Sequence, residues 1–456
     1  MFKKVLIANR GEIAVQTIRA LHELNIKAVA VYSTADADSL FVKMSDETVC
    51  IGSGQPTDSY LKMGAVLDAA ALTASDAIFP GYGFLSENSE FAELCQEYGI
   101  KFIGPSAEVI NLMGNKANAK ATMKKLGVPT IPGSDGYLKD LDQALELAEQ
   151  IGYPVMLKAA AGGGGKGIRQ VDDSNQLCKV YEETKREIKL SYGDDHLYLE
   201  KDLSDSKHIE MQAIADQHGH VVYFPERDCS LQRNHQKIME ESPCPEISDE
   251  ERQHMGEVVV NAMKGINYEN TGTFEFLMDR DHQFYFMEMN TRLQVEHTIT
   301  EEVAGVELIK AMIKVAAGED LPFNQADCKA KGYALECRIN AEDPAKVFQP
   351  TPGTIEFVHF PFGTKGVRID SGVETGSKIS PFYDSMIAKI IVHMPTKKDA
   401  VAKMLRALKE FEIKGVKTNR EFLVDLLQDQ HFLDGDFNNL YVENHFLKEW
   451  VKHHDK

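Results

Sequence analysis

The sequence predicts a mixed α/β and α+β protein: a Rossmann-like parallel sheet at the N-terminus, a small flexible lid and a mixed C-terminal part. Three observations predict it. Short apolar runs alternate with helical patterns up to about residue 112, a glycine-rich strand-turn-strand follows, and strand runs rich in aromatics come next. At 456 residues the chain exceeds what one core normally organises, so two or three subdomains are expected.

The apolar runs Val5 to Ala8, Ala28 to Tyr32, Ala77 to Phe79 and Lys101 to Ile103 are separated by helical segments such as Gly11 to Leu24 and Asn88 to Tyr98. That alternation implies a doubly wound parallel sheet. A helix over Lys116 to Leu126 stops at Gly127-Val128-Pro129. Next come a helix near Leu141 to Ile151, a strand Pro154 to Lys158, a glycine turn and a strand Gly167 to Val171, which read as a small flap rather than a βαβ unit. Strands at His208 to Ala215, His220 to Phe224, Thr273 to Met278 and Gln283 to Met289, with a helix near Asp249 to Gly265, read as an antiparallel region. The last part carries strands at Tyr333 to Asn340 and Thr354 to His359 and a helix Lys398 to Phe411.

Composition narrows the function classes. The net charge of −20 repels nucleic acid and anionic membranes unless a local basic patch intervenes. No apolar run has the length of a secretory signal or membrane span, so a cytoplasmic protein is expected. Seven scattered cysteines without a C-x-x-C spacing argue for reduced thiols rather than disulfides or zinc.

The run Gly162 to Gly167 formally fits G-x-G-x-x-G, but a strand follows where a dinucleotide site needs a helix. Lys166 is followed by Gly167 where a P-loop needs Ser or Thr. A turn whose backbone N–H groups close over phosphates, with Lys158 as a nearby charge, remains beside the alternative of a surface hairpin. Glu275 and Glu288 lie within apolar strand runs; as a hairpin they could oppose each other and bind magnesium, or each could pair with Lys or Arg. From Glu288 the polar residues Asn290, Arg292, Gln294 and Glu296 recur at period two, which reads as one strand face able to hold an oxyanion at Arg292 and a base at Glu296. Arg233, His235 and Lys237 offer local positive charge, or a solvated basic loop. Arg338 lies between Glu336 and Asn340 at the same period, where a structural salt bridge is the alternative. Nothing in the sequence places a base beside Cys229 to make it a nucleophile.

Taken together, the sequence resembles the ATP-grasp enzymes and, among them, the biotin carboxylases. The resemblance rests on Ile7-Ala8-Asn9-Arg10-Gly11-Glu12-Ile13-Ala14, Pro80 to Asn88, the glycine run, Glu226-Arg227-Asp228-Cys229-Ser230, Glu288 to His297 and Glu336 to Glu342. It runs through nearly the whole chain and is nearest to the separate biotin carboxylase subunit of bacterial acetyl-CoA carboxylase. It implies an ATP-grasp fold with a biotin carboxylase N-terminal domain at 1-113, an ATP-grasp domain at 114-330 with its lid at about 133-203, and a C-terminal domain at 331-446. It implies that ATP phosphorylates bicarbonate to carboxyphosphate and that biotin captures the CO2 released.

The resemblance also implies roles by position. Lys116, Lys158, Gly164 and Gly165 would hold phosphates, Glu200, Lys201 and Leu203 adenine, and His208, Gln232 and His235 ribose and phosphates. Glu275, Glu288 and Asn290 would serve magnesium, or manganese in its place. Lys237, Arg292, Gln294 and the Val295 backbone would position bicarbonate, Glu296 would deprotonate it, and Arg338 would stabilise the biotin enolate. Implied partners are a biotin carboxyl carrier protein, carboxyltransferase subunits and a second copy of the chain. Gln16, Asp202, Asn234 and Thr298 depart from the family's usual arginine, aromatic, arginine and proline. The nearest approach to a Met-Lys-Met biotinylation turn is Met263-Lys264-Gly265, so biotin is expected on a separate protein.

Overall fold

The computed structural model describes residues 1–159, 168–192, 195–234 and 236–454. The chain forms two compact units, one of Met1–Val128, Lys207–Phe276 and Glu288–Lys456, the other of Pro129–Ser206 and Leu277–Met287.

The larger unit opens with a parallel sheet of β1 (Lys4–Ile7), β2 (Lys27–Ser33), β3 (Glu47–Gly52), β4 (Ala77–Phe79) and β5 (Lys101–Phe102), in the order β3-β2-β1-β4-β5. Side chains of β1 alternate between two cores. Val5 and Ile7 pack with the helices Gly11–Glu23 and Leu308–Ala316, whereas Leu6 packs with the helix Met63–Leu72. Cover on both faces explains why these strands read as unbroken apolar runs. β3 escapes the sequence pattern because it is an edge strand whose exposed positions carry Thr48 and Cys50 and whose one buried residue is Ile51.

The smaller unit holds β6 (Val155–Ala159), β7 (Ile168–Val171) and β8 (Leu197–Lys201), ordered β7-β6-β8 and antiparallel, with Lys158 opposite both Ile168 and Tyr198. The strand-turn-strand expectation therefore holds, while the glycine turn itself lies outside the described residues. The helices Leu141–Ile151 and Ser174–Tyr192 complete its core through Ala144, Ala148, Leu177, Tyr181 and Ile188. The second helix sets its buried Leu177, Tyr181, Thr184 and Ile188 at helical spacing on one face, with charged residues filling the rest of its turns.

Among the described residues, the larger unit's second sheet has nine strands. Its path runs β14 (Phe284–Asn290), β13 (Asn270–Met278), β9 (Lys207–Ala215), β11 (Arg227–Arg233), β12 (Gln236–Ser242), β15 (Tyr333–Asn340), then Met386–Met394 and Val367–Ser371, with β10 (Val221–Tyr223) beside β9. The tip of the β13–β14 hairpin is counted with the smaller unit. β9 is buried along all nine residues, so its polar members must find partners inside the protein. The helix Asp249–Gly265 begins with a reciprocal cap between Ser248 and Glu251. The expected strand Thr354 to His359 is instead two short pieces, Gly353–Thr354 and Phe357–His359, which pair with Lys378–Ile379 and Glu412–Lys414. The reason is that the chain changes pairing partner between them.

Candidate active site

The chemistry-bearing side chains of the larger unit converge on the face of the nine-stranded sheet formed by β9, β11, β12, β13 and β15. On β9, His208, Glu210 and Gln212 share one face by the two-residue period. Lys237 of β12 reaches Glu210, lies 3.2 Å from Glu275 of β13 and donates to Glu296 at 2.7 Å. The other Glu296 oxygen accepts from Arg338 of β15 at 2.8 Å, and Arg338 also donates to Glu240 of β12 at 2.6 Å. Glu275 accepts from Asn290 at 2.6 Å and from Gln294 at 2.7 Å, with His208 Nε2 3.1 Å away. Gln232 sits 2.7 Å from His208 Nδ1.

Burial by itself would raise the Glu296 pKa, but Lys237, Arg338 and Arg227 outweigh it and hold the carboxyl below its usual range. Glu210 behaves likewise: burial pushes it up, and Lys237, His208 and Arg227 pull it well down. His208 is raised to about 9, since burial opposes its charge but Glu275 and Glu210 favour it more. A carboxylate kept ionised at neutral pH between two cations can accept a proton, and the cations remain to stabilise the anion left behind.

The period-two reading of Glu288 to Glu296 needs correction. β14 ends at Asn290, and Glu296 is the N-cap of the helix His297–Ala304. The intervening turn leaves the sheet because its polar groups are claimed elsewhere: Arg292 donates to Glu87 at 2.7 Å, to Asn290 at 2.9 Å and to the Leu293 carbonyl at 3.2 Å, while Gln294 meets Arg227. The residues still converge, through a turn rather than a strand face. Arg338 is paired with Glu240 and Glu296 across the sheet, not with its strand neighbour Glu336, which accepts from Thr298. The supposed basic cluster is also divided. Lys237 is 13% exposed among three carboxylates, whereas Arg233 donates to the Val347 carbonyl and lies over Phe348.

Lys116, at the start of the helix Lys116–Lys125, pairs with Glu288 at 2.9 Å. In the smaller unit, Lys158 pairs with Glu200 at 2.8 Å, Lys201 donates to Asp279 at 2.8 Å and to Tyr285 at 3.0 Å, and Leu203 is buried. Gly164, Gly165 and His235 lie outside the described residues. The carboxylates of Glu275 and Glu288, on successive strands, are hard oxygen donors of the kind magnesium prefers. The amide nitrogen of Asn290 faces Glu275 and its oxygen faces Arg292, so its oxygen is already directed toward a cation. In kind, these carboxylate and amide oxygens suit such an ion.

Sequence reasoning missed Glu210, Arg227, Glu240 and Glu87. Arg227 is fully buried and donates to Glu210 at 3.0 Å, Gln212 at 2.6 Å and Thr300 at 2.9 Å. The signal for Glu210 was present: His208-Ile209-Glu210-Met211-Gln212 alternates polar groups within an apolar strand, as the Glu275 stretch does. Cys229 is fully buried, and burial raises its thiol well above the usual range, so it is no nucleophile. All seven cysteines are free.

Comparison with known proteins matches residues 1–110 to the biotin carboxylase N-terminal domain, 115–324 to the ATP binding domain of the carbamoyl-phosphate synthase L chain, and 336–444 to the biotin carboxylase C-terminal domain. Biotin carboxylase 1 of Bacillus subtilis is 50% identical over 98% of this chain and 99% of its own. The 2-oxoglutarate carboxylase small subunit of Hydrogenobacter thermophilus is 48% identical over 100% of this chain and 96% of its own. The solved biotin carboxylase domain dimer of that organism's 2-oxoglutarate carboxylase, in complex with MgADP, ADP and bicarbonate, superposes with a TM-score of 0.87 at 48% identity, covering 98% of each chain. With full-length likeness in sequence and fold, the chain belongs to the biotin carboxylase family, ATP-dependent carboxylating ligases built on the ATP-grasp fold.

Proposed function

We propose that this chain carboxylates biotin borne on a separate carrier protein, using ATP, magnesium and bicarbonate by way of carboxyphosphate. The observation that carries the reading is the Glu296 carboxylate set between Lys237 at 2.7 Å and Arg338 at 2.8 Å. Glu296 takes the bicarbonate proton, and a bicarbonate oxygen then attacks the γ-phosphorus of ATP as ADP departs. Lys237, Arg292, Gln294 and the Val295 backbone hold the anion in line for that attack. Carboxyphosphate breaks into CO2 and phosphate, the released phosphate takes the proton of the biotin ureido nitrogen, and that nitrogen, its enolate charge balanced by Arg338, bonds to CO2.

Magnesium held by Glu275 and Glu288, with Asn290 beside them, would neutralise phosphate charge. In the nucleotide's remaining contacts, Lys116, Lys158, His208 and Gln232 serve phosphates and ribose, and Glu200, Lys201 and Leu203 serve adenine; Gly164, Gly165 and His235 complete the set. The three-part division at 1-113, 114-330 and 331-446 is the functional partition. Met263 and Lys264 lie in the last turn of the helix Asp249–Gly265, with Met263 fully buried, which supports a separate carrier because a biotinylation site needs an exposed turn.

The protein works in the cytoplasm as a homodimer with a carrier protein and carboxyltransferase subunits, forming malonyl-CoA from acetyl-CoA for fatty acid synthesis. Among the described residues no helix is long and apolar enough to cross a membrane. The likeness to a 2-oxoglutarate carboxylase subunit favours an oxo-acid acceptor as the second reading. Two experiments decide. ATP cleavage by the purified chain is expected to depend on bicarbonate and to rise with free biotin; cleavage indifferent to both refutes the reading. Identifying the transferase in the native complex separates acetyl-CoA from an oxo acid.

A further inference from the structure

The strand Met386–Met394 carries a lysine that the reaction as described does not use. Lys389 is completely buried, and a buried ammonium is costly unless it is paired. Its position is set by register: Lys389 lies opposite Arg338 on β15 and opposite Asp370 on the other side, so the three share one face of the sheet. Arg338 uses that face to reach the Glu296 carboxylate, and Lys389 uses it to donate to the Val295 carbonyl at 2.7 Å. These neighbouring cations therefore hold two successive residues of the same turn.

The counter-ion comes from the helix that follows β1. Glu12, in the first turn of the helix Gly11–Glu23, lies 3.2 Å from Lys389 and accepts a hydrogen bond from the Tyr82 hydroxyl. Its backbone is fixed by close packing, since a Cβ on Gly372 would stand 2.8 Å from the Glu12 nitrogen. Burial raises the Glu12 carboxyl to about 7 against the pull of Lys389. A purely structural ion pair would explain Glu12 and Lys389, but it needs no bond to the Val295 carbonyl.

We propose that Lys389, with Glu12 as its counter-ion, is a positioning residue for bicarbonate deprotonation: by holding the Val295 carbonyl it fixes the peptide leading into Glu296 and so aims that carboxylate. The proposal rests on Glu296 being the base. A carboxylate whose supporting peptide turns by a fraction of an ångström loses alignment with its proton, and misplacement on the 1 Å scale costs about 10²-fold in rate.

The test is Lys389→Met in the full chain, with folding followed by circular dichroism and thermal midpoint. The expected result is a fall of about 10²-fold in kcat for bicarbonate-dependent ATP cleavage, weaker binding of ¹³C-bicarbonate to the MgADP-loaded protein, and unchanged MgADP affinity. If that variant does not fold, Glu12→Gln at pH 8 keeps the side-chain shape and is expected to lose about tenfold in the same two bicarbonate readouts. A folded variant with wild-type kcat and bicarbonate affinity overturns the proposal, as does equal loss of MgADP affinity, which marks general damage. Wild-type protein without bicarbonate-dependent ATP cleavage overturns the proposed function itself, a result distinct from either.

Discussion

The two units use the same ionic residues in opposite ways. In the larger unit Lys237, Glu210 and Glu296 are 13%, 0% and 2% exposed, and each charge has several partners. In the smaller unit Lys158 and Lys201 are 27% and 28% exposed and face single carboxylates, Glu200 and Asp279. Buried charges with many partners are locked, because freeing one strands the others in a low-dielectric interior. Half-hydrated pairs exchange for water at little cost, so they suit groups that must release and regain a ligand. Under the proposed function, the difference separates the residues assigned to bond-making from those assigned to holding nucleotide.

Breaking the buried network should give the largest effect. Glu296→Gln is expected to lower bicarbonate-dependent ATP cleavage by about 10²- to 10⁴-fold while leaving the fold intact, as measured by steady-state kinetics. Unchanged activity would remove Glu296 as the base. Arg227→Met leaves Glu210 buried without one of its cations and is expected to destabilise the larger unit by about 3–5 kcal/mol in urea unfolding.

Glu12 sharpens the comparison through pH. Its folded pKa of about 7 exceeds the ordinary 4.5, so the folded state binds this proton more tightly than the unfolded chain. The resulting stability is full below about pH 4.5 and is lost as pH rises through about 7, a change of roughly 3 kcal/mol. Glu12→Gln should flatten that part of the stability profile, and an unchanged slope would assign it to other groups. Least affected should be the smaller unit: a double-mutant cycle on Lys201 and Asp279 is expected to return about 1 kcal/mol or less. A coupling several times larger would erase the distinction between the units.

Much of the parallel sheet was legible because strands buried on both faces must be apolar and short. The exposed edge β3 was not, since exposure removes the constraint that makes a pattern. Within the site, Glu275 and Glu288 stood out as charges inside apolar strands, Arg338 by its alternation with Glu336 and Asn340, and Lys237 only as one member of a basic cluster. Arg227 and Glu240 did not, because a lone charge in a sequence says nothing about which distant charge will meet it. The alternation of Glu288 to Glu296 drew together residues that do converge, but through a wrong conformation: period two is a strand signal, yet the strand stops at Asn290 once side chains from other elements claim the turn.

By itself, then, the sequence determined the residue types, the two kinds of sheet and, by resemblance, the family. Only the tertiary structure decided that Lys237 answers to three carboxylates from three separate segments, that Arg338 bonds to Glu296 rather than Glu336, and that Lys389 ends on the Val295 carbonyl. Strand register and burial make those choices. Local periodicity places a side chain on a face, but only the assembled sheet brings its partner to that face and excludes the water that would otherwise take the partner's place.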